Sequence, residues 1–235
     1  IVGCDGYHGI TKNFIPKNIK KVYEKKYSIA WLGLLSDTKP ISNELIYINN
    51  TNGFGLCSMR SKTRSRYYIQ CSNLEKIQDW SDDRFWETLY NILPSSIKNN
   101  LQTGPSIEKS IAQLRSYVIE PMNYKNIFLA GDAAHIVPPT GAKGLNLALN
   151  DVSLLNAAFK KYFHKKSEMG LKDYSKSRLS KVWMTQNFSS WFTNALHSFP
   201  DEDNFTKKMK QLMLLNLINS DTQKLQLANN YLGKY

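Results

Sequence analysis

Alternating apolar and polar positions mark the chain between residues 27 and 71 as rich in β-strands. Polar clusters, such as those at 49–53 and 61–64, separate the alternating runs, as the turns of an antiparallel meander require. Residues 1–20 show only a strand tip followed by a loop. Four strands are predicted in the alternating region, at residues 28–35, 44–48, 55–60 and 66–71.

Helical spacing replaces this alternation further along the chain. Residues 82–92 carry apolar side chains three and four positions apart, and Ser81 precedes them as a candidate N-cap. An apolar run at 126–131 predicts another strand, which a long helix follows to about residue 163. The pattern is helical again from residue 174 onward, so the chain is predicted to be a mixed α/β protein. The inner face of the long helix is predicted to carry Leu147, Val152, Leu155 and Phe159.

The composition indicates a folded protein with a basic surface. The 235 residues are 42% hydrophobic and 12% aromatic, and the formal net charge is +12. The lysines are dispersed and accompany no nucleic-acid motif, so a solvated surface is favoured over nucleic-acid binding. The apolar runs are far too short for a membrane span. The three cysteines lack metal-ligand spacing, which predicts no metal site and, with no visible signal peptide, a reducing cytoplasmic location.

Residues 126–146 carry the clearest chemical signal. An apolar run ends in Gly131-Asp132, passes through Pro138-Pro139-Thr140-Gly141 and opens into an apolar-periodic stretch, which predicts a strand, a rigid loop and a helix start. A carboxylate at the end of a strand can accept hydrogen bonds from ribose-like hydroxyls, and the helix start offers N–H groups to an anion. Spacing alone favours an ordinary strand, turn and helix.

A second candidate site lies in the predicted hairpin. Period-two alternation places Ser58 and Arg60 on one face of a strand, and Arg66, Tyr68 and Gln70 on one face of the next. A guanidinium between hydroxyl donors suits an aromatic carboxylate. An exposed basic hairpin would show the same pattern.

Four segments in order resemble the aromatic-ring hydroxylases, a family of single-component FAD monooxygenases. These segments are 3–9, 60–68, 110–116 and 126–146. Their amino-acid sequences most resemble those of family members that act on hydroxybenzoate. The resemblance implies a partial Rossmann-like FAD-binding domain, an antiparallel β-sheet substrate domain and a C-terminal helical region. The implied division is an FAD-domain remnant at 1–26, the substrate domain at 27–115, the second flavin motif and its helix at 116–165, and the helical region at 166–235.

The resemblance also implies a reaction, the hydroxylation of 4-hydroxybenzoate to 3,4-dihydroxybenzoate with FAD, NADPH and O2. Tyr47 matches a tyrosine that hydrogen-bonds the substrate phenol and passes its proton to a second tyrosine, here Tyr231. Ionising the phenol makes the ring carbon beside it nucleophilic. The positions that match substrate ligands are Ser58, Arg60 and Tyr68 at the carboxylate, with Pro139 and Thr140 at the junction with the flavin.

Further matches concern the two cofactors. His8 and Arg115 match positions that help to hold NADPH. Lys12 stands where the family commonly has Arg, which could weaken or alter NADPH binding. Gln113 stands where the family commonly has Pro, which could loosen the hinge between domains. His135 is expected to be structural, and His164 and His197 to lie at the surface. The positions that match FAD contacts are Asp5, Arg66, Asp132, Gly141, Lys143, Gly144, Leu145 and Asn146.

The start of the chain raises a separate expectation. No G-x-G-x-x-G follows a strand, and the chain opens at Ile1 without a Met. We therefore expect an N-terminal dinucleotide-binding unit to be missing and the isolated chain to be inactive. The alternatives are a related FAD hydroxylase for another hydroxylated aromatic acid, or an inactive fragment that only binds an aromatic acid. The aromatic C-terminal helices suggest a homodimer.

Overall fold

The computed structural model describes residues 1–234, which cluster into two units. Unit 1 comprises Ile1–Lys26, Arg115–Thr193 and Asn216–Tyr235, and unit 2 comprises Tyr27–Leu114 and Asn194–Leu215. Each unit has a hydrophobic core of its own. The helices after residue 166 are divided between the two units.

The elements confirm a mixed α/β fold. The strands are β1 (Val2–Gly3), β2 (Lys21–Ser36), β3 (Ile46–Asn50), β4 (Gly53–Ser61), β5 (Arg64–Ser72), β6 (Ser106–Glu120), β7 (Asn123–Tyr124), β8 (Ile127–Leu129) and β9 (His135–Ile136). The helices are α1 (Asp82–Ile92), α2 (Ser95–Lys98), α3 (Gly144–Lys165), α4 (Met169–Lys172), α5 (Tyr174–Leu196), α6 (Asn204–Asn219) and α7 (Asp221–Leu232). Within residues 1–234, no helix has both the length and the apolar character that a membrane span needs.

Unit 2 is built on a sheet with the order β3-β4-β5-β2-β6. The four strands predicted from alternation are all present, although β2 begins earlier than expected, at Lys21. Strand β6 was not predicted, because charged and polar residues interrupt its apolar positions. The β4–β5 turn falls at 61–64, where the hydroxyl of Ser61 accepts a hydrogen bond from the backbone N–H of Thr63 at 3.2 Å.

One face of this sheet packs on α1. The predicted cap of that helix is confirmed, since the hydroxyl of Ser81 accepts a hydrogen bond from the backbone N–H of Arg84 at 3.1 Å. Period-two alternation sends every second residue of the strands to this face, so the opposite face is available for chemistry. The core between sheet and helix includes Leu32, Leu34, Tyr67, Ile69, Phe85 and Leu89, each at most 1% exposed.

Unit 1 contains a small sheet with the order β1-β8-β7, in which β1 and β8 are parallel. Strand β9 pairs with the end of β6, with Tyr117 opposite Ile136. Helix α3 follows β9 after a short loop, as predicted from residues 126–146. The loop between β8 and α3 therefore starts at the carboxyl end of a parallel strand, where open α/β sheets bind their ligands.

The inner face of α3 differs from the prediction at one position. Leu147 and Leu155 are buried as expected, but Val152 is 51% exposed and Asp151 is fully buried between them. The helical period explains the difference, because residues 147, 151 and 155 are four apart and lie on one line. Because a charged residue is rarely buried without partners, the sequence pattern alone does not indicate burial of this carboxylate.

Candidate active site

The face of the unit 2 sheet opposite α1 carries the residues predicted to bind an aromatic acid. We call it the site face. The strand register places Tyr47 opposite Leu56 and Leu56 opposite Tyr68, so the two tyrosines lie on the same face, two strands apart. Two strand spacings are about 10 Å, the scale of one benzene ring with a substituent at each end. The site face is defined by Trp31, Tyr47, Phe54, Ser58, Arg66 and Tyr68.

The polar end of the site face is formed by Ser58 and Arg66, which lie directly opposite each other. The guanidinium of Arg66 donates to Glu108 at 3.1 Å and to Ser110 at 3.3 Å, and it lies 5.3 Å from the ring of Tyr68. The hydrogen bond from Arg66 lowers the pKa of Glu108. Arg66 is therefore a positive charge held in place by Glu108 and Ser110, and it lies beside the hydroxyl-bearing side chains of Ser58 and Tyr68.

Arg60 is placed differently from its neighbours. The pairing of β4 with β5 shifts between Met59 and Ser61, which is a β-bulge, and Arg60 is exposed. A bulge adds one residue to a strand, so simple alternation from Ser58 does not extend to Arg60. Its role as a carboxylate ligand stays a prediction.

Tyr68 lies over a glycine on the neighbouring strand. Gly33 faces Tyr68 in the β2–β5 register, and a Cβ at Gly33 would come within 2.8 Å of the Tyr68 ring and 3.3 Å of the Arg66 guanidinium. Such distances are shorter than ordinary van der Waals contact. The absence of a side chain at residue 33 thus allows both groups to hold their positions.

The aromatic end of the site face includes a histidine that the sequence did not reveal. His197 was expected at the surface, but it is 1% exposed and its ring lies 4.1 Å from that of Phe54. The indole N–H of Trp31 donates to its Nε2 at 2.6 Å. The two apolar residues directly before it, Ala195 and Leu196, are the only local signal that could have indicated burial.

In unit 1, the predicted flavin loop follows β8. Gly131 has a positive φ of 61°, and Asp132 is exposed at the end of the strand. The backbone N–H of Gly131 donates to the buried carboxylate of Asp151 at 2.9 Å. The same carboxylate pairs with His135 at 2.7 Å and with Arg178 at 2.5 Å, so His135 has the structural role expected for it. Asp151 thus fixes the turn that presents Asp132.

The beginning of α3 fits an electron-rich cofactor edge. Its N-cap residue, Lys143, makes no capping hydrogen bond through its side chain, and the first turn holds no acidic residue. Leu145 and Asn146 are exposed, and open space surrounds the position that a Cβ would take at Gly144. The first N–H groups of a helix have no acceptor within it and lie at its positive end, which suits the pyrimidine edge of a flavin.

The loop before α3 is tightly packed. Thr140 is fully buried and its hydroxyl shares a hydrogen bond of 2.8 Å with Thr193, whereas Pro139 is exposed. Gly141 has no room for a Cβ without crowding, since it would lie 3.2 Å from the ring of Phe188. The side chain of Thr140 is thus committed to the protein, and Pro139 is the more accessible of the two predicted ligands.

Tyr231 lies on α7 beside two aromatic rings of α5. The rings of Phe188 and Phe192 are each 6.4 Å from it, edge to face. Its backbone carbonyl accepts a hydrogen bond from the ammonium of Lys143, whose pKa is lowered by burial. Tyr47 and Tyr231 belong to different units, and the predicted proton relay between them stays a prediction.

The predicted nicotinamide contacts converge on one ring. His8 lies edge-on to Tyr7 with ring centroids 4.9 Å apart, and the guanidinium of Arg115 lies 4.2 Å from the same ring. Arg115 also pairs with Glu24 at 3.7 Å, and the hydroxyl of Tyr7 donates to Glu24 at 2.9 Å. Arg115 therefore already has an anionic partner within the chain.

Asp5 is engaged in a turn. Its carboxylate accepts hydrogen bonds from the backbone N–H and the hydroxyl of Thr11, both at 2.9 Å, and these bonds lower its pKa. Gly9 is needed for this contact, since a Cβ there would lie 2.1 Å from the carboxyl carbon of Asp5. The proposed cofactor role of Asp5 stays a prediction.

Comparison with known proteins finds one relative of high sequence identity and several solved structures of similar fold. The chain is 51% identical to p-hydroxybenzoate hydroxylase of Acinetobacter baylyi over 99% of its own length and spans 58% of that protein. Among solved structures it resembles p-nitrophenol 4-monooxygenase PnpA of Pseudomonas putida (TM-score 0.75, 14% identity, 98% of this chain and 57% of that one). It also resembles the Diels-Alderase PyrE3 (TM-score 0.75, 16% identity, 99% of this chain and 49% of that one), and at such identities these structures show the fold alone.

A family model extends over most of the chain. The model described as FAD binding domain matches residues 1–189, which include the Gly131-Asp132 loop, the start of α3 and the whole sheet of unit 2. The chain belongs to this FAD-binding family.

Proposed function

We propose that this protein takes part in the hydroxylation of 4-hydroxybenzoate to 3,4-dihydroxybenzoate with FAD, NADPH and O2. The observation that carries the proposal is the site face, on which Ser58, Arg66 and Tyr68 cluster while Tyr47 lies two strands away from Tyr68. The 51% identity to a p-hydroxybenzoate hydroxylase supports the same substrate.

The arrangement suggests a direction for the substrate. The carboxylate is bound at the polar end, where the hydroxyls of Ser58 and Tyr68 donate to it and the predicted ligand Arg60 pairs with its charge. The positive charge of Arg66 adds to the attraction. The phenol then points along the row towards Tyr47. A hydrogen bond from the phenol to the Tyr47 hydroxyl draws the proton away and raises the electron density of the ring.

Most of the proposed cofactor contacts belong to unit 1. In the proposal, Asp132 accepts hydrogen bonds from the sugar-like chain of FAD, and the N–H groups at the start of α3 receive its electron-rich edge. Bound FAD would supply the redox chemistry and the activation of O2 that side chains lack. The remaining proposed FAD contacts are Asp5, Arg66, Gly141 and Lys143, and those to NADPH are His8 and Arg115.

A ligand series tests the substrate assignment. The measurements use the full-length protein: the dissociation constants of 4-hydroxybenzoate, benzoate and the uncharged 4-hydroxybenzamide, and the dihydroxybenzoate formed in the presence of FAD and NADPH. We expect product from 4-hydroxybenzoate and binding of the amide at least about tenfold weaker, because a charge-assisted contact contributes about 1.5–3 kcal/mol. Equal affinity for acid and amide, or no product, would contradict the proposal.

The alternative, a related hydroxylase for another hydroxylated aromatic acid, predicts a different result in the same series. In that case 4-hydroxybenzoate would bind but give little product, and an isomer or a more substituted acid would be turned over faster.

The Ser58→Ala variant is the matched control, since it removes one donor from the polar end and should weaken binding of the acid more than that of the amide.

A further inference from the structure

The aromatic end of the site face is covered by a short segment that three strands hold in place. This segment, Leu196–Ser198, joins α5 to the loop before α6. Asn49 of β3 donates to the carbonyl of Leu196 at 2.8 Å, and the amide of Gln70 on β5 donates to the carbonyl of Ser198 at 2.6 Å. Both contacts are to the backbone, so they fix the path of the segment rather than the identity of its side chains.

The third contact is different, because it joins two side chains. The indole N–H of Trp31 on β2 donates to Nε2 of His197 at 2.6 Å, and both groups are buried. An indole N–H can only donate, so Nε2 must be the acceptor and His197 is neutral with its proton on Nδ1. The imidazole therefore provides Trp31 with its polar partner.

This contact leaves Trp31 with a purely apolar surface for the rest of the site face. The Trp31 ring lies 5.3 Å from that of Tyr68 and 5.2 Å from that of Phe54, with which it is stacked. The Tyr68 ring also lies close to the backbone of Gly33, where a Cβ would come within 2.8 Å of it. The orientation of the Tyr68 ring thus depends on Trp31, and that of Trp31 depends on His197.

His197 itself is held by its main chain as well as by its ring. Its carbonyl accepts a hydrogen bond from the ammonium of Lys210 on α6 at 3.0 Å, and the same ammonium pairs with Glu202. Its ring packs against Phe54 at 4.1 Å. The imidazole is consequently a fixed acceptor rather than a mobile one.

We propose that His197 is a positioning residue for substrate binding: through its hydrogen bond to Trp31 it sets the aromatic wall beside Tyr68 against which the ring of the aromatic acid packs. The inference rests on the proposed function, since it takes the site face to bind such an acid. It assigns to this histidine a part in ring recognition that the sequence motifs do not include.

Two substitutions of His197 separate its hydrogen bond from its bulk. His197→Phe keeps an aromatic ring against Phe54 but removes the acceptor, and His197→Gln keeps an acceptor of similar reach. We expect His197→Phe to weaken binding of 4-hydroxybenzoate about tenfold, because an indole N–H left without its acceptor is costly in the present position of Trp31 and the ring shifts from its place beside Tyr68. His197→Gln should recover most of the affinity, which a role limited to packing would not produce.

A double-mutant cycle tests the route through Trp31. In a Trp31→Phe background, which has no indole donor, changing His197 to Phe should alter the affinity by less than about twofold, since the coupling is already lost. Phe199→Leu is the matched control: Phe199 belongs to the same loop but contacts Tyr27 and Lys210, so stability should fall while affinity stays near that of the wild type.

Each outcome bears on one proposal or the other. Wild-type affinity in a folded His197→Phe protein, or a failure of His197→Gln to restore binding, would overturn the inference while leaving the proposed function intact. Should His197→Phe not fold, the affinities of Trp31→Phe and His197→Gln decide, and equal affinity of Trp31→Phe and wild type overturns the inference. A wild-type protein that binds no hydroxybenzoate overturns both.

Discussion

Replacing Asp151 by Asn should be one of the most damaging single changes in unit 1, although Asp151 lies in no predicted site. Its carboxylate is fully buried and contacts Arg178 at 2.5 Å, His135 at 2.7 Å and the N–H of Gly131 at 2.9 Å. Asparagine keeps the shape but loses the charge, which leaves Arg178 buried opposite a neutral group. Breaking a buried ion pair in this way costs about 3–5 kcal/mol.

That loss is large compared with the stability of a typical protein, which is about 5–15 kcal/mol. For a chain of this size it corresponds to a fall in Tm of about 10 °C. The measurement is thermal or urea unfolding of the Asp151→Asn protein beside the wild type. The matched control is Asp132→Asn in the same loop, an exposed carboxylate whose loss should leave unfolding unchanged and weaken FAD binding instead. A Tm for Asp151→Asn within about 2 °C of the wild type would refute the reasoning.

The contacts of the Asp151 carboxylate also predict that the stability of the protein depends on pH. Burial raises the pKa of Asp151. The hydrogen bond and charge of His135, the N–H of Gly131 and the charge of Arg178 lower it by a larger amount, so the pKa of Asp151 lies below its ordinary value of 3.8. A carboxylate with a depressed pKa stabilises the folded state above its unfolded pKa and loses this contribution as the pH falls through the folded pKa. The stability difference between wild type and Asp151→Asn should therefore be full near pH 6 and shrink below about pH 4.

Three further changes, each made in the full-length protein, test the proposed sites. Gly33→Ala should push the Tyr68 ring and the Arg66 guanidinium from their places and weaken hydroxybenzoate binding by about tenfold or more, whereas wild-type affinity by titration would show that neither group contacts the acid. Tyr47→Phe should keep the fold but lower the dihydroxybenzoate formed per NADPH oxidised, with hydroxylation slowed by about 10²–10⁴-fold, and an unchanged ratio and rate would return Tyr47 to a packing role. Glu24→Gln should free Arg115 from its anionic partner and lower the KM for NADPH, so an unchanged KM would argue against Arg115 as a nicotinamide contact.

Local patterns predicted the elements that depend on local forces. The strands of the meander, the helix from Asp82 with its Ser81 cap, and the strand, loop and helix around Gly131 follow from alternation, helical spacing and capping chemistry. These features depend on neighbours within a few residues, which a single sequence displays. Strand β6 was missed because polar residues break its pattern, and only its pairing partners make it a strand.

The candidate site was predictable to the extent that it follows strand register. Ser58, Arg66 and Tyr68 lie together because period-two alternation holds across the hairpin, and Tyr47 joins them through Leu56. The alternation does not predict the side of the sheet on which Arg60 lies, because the bulge adds one residue to the strand at that point. A bulge depends on the pairing of both strands, so its place cannot be read from the spacing of one.

Two of the buried polar residues that the sequence did not reveal, Asp151 and His197, share a physical cause. Asp151 is stabilised by Arg178, 27 residues away, and His197 by Trp31, 166 residues away. The cost of burying a polar group depends on its partner, and a partner so distant is invisible in the local pattern, so the residue is assigned to the surface by default. Both residues lie behind a predicted ligand contact, Asp151 behind the Asp132 loop and His197 behind Trp31 and Tyr68. The residues hardest to predict from the sequence are thus the ones that hold the predicted site residues in place.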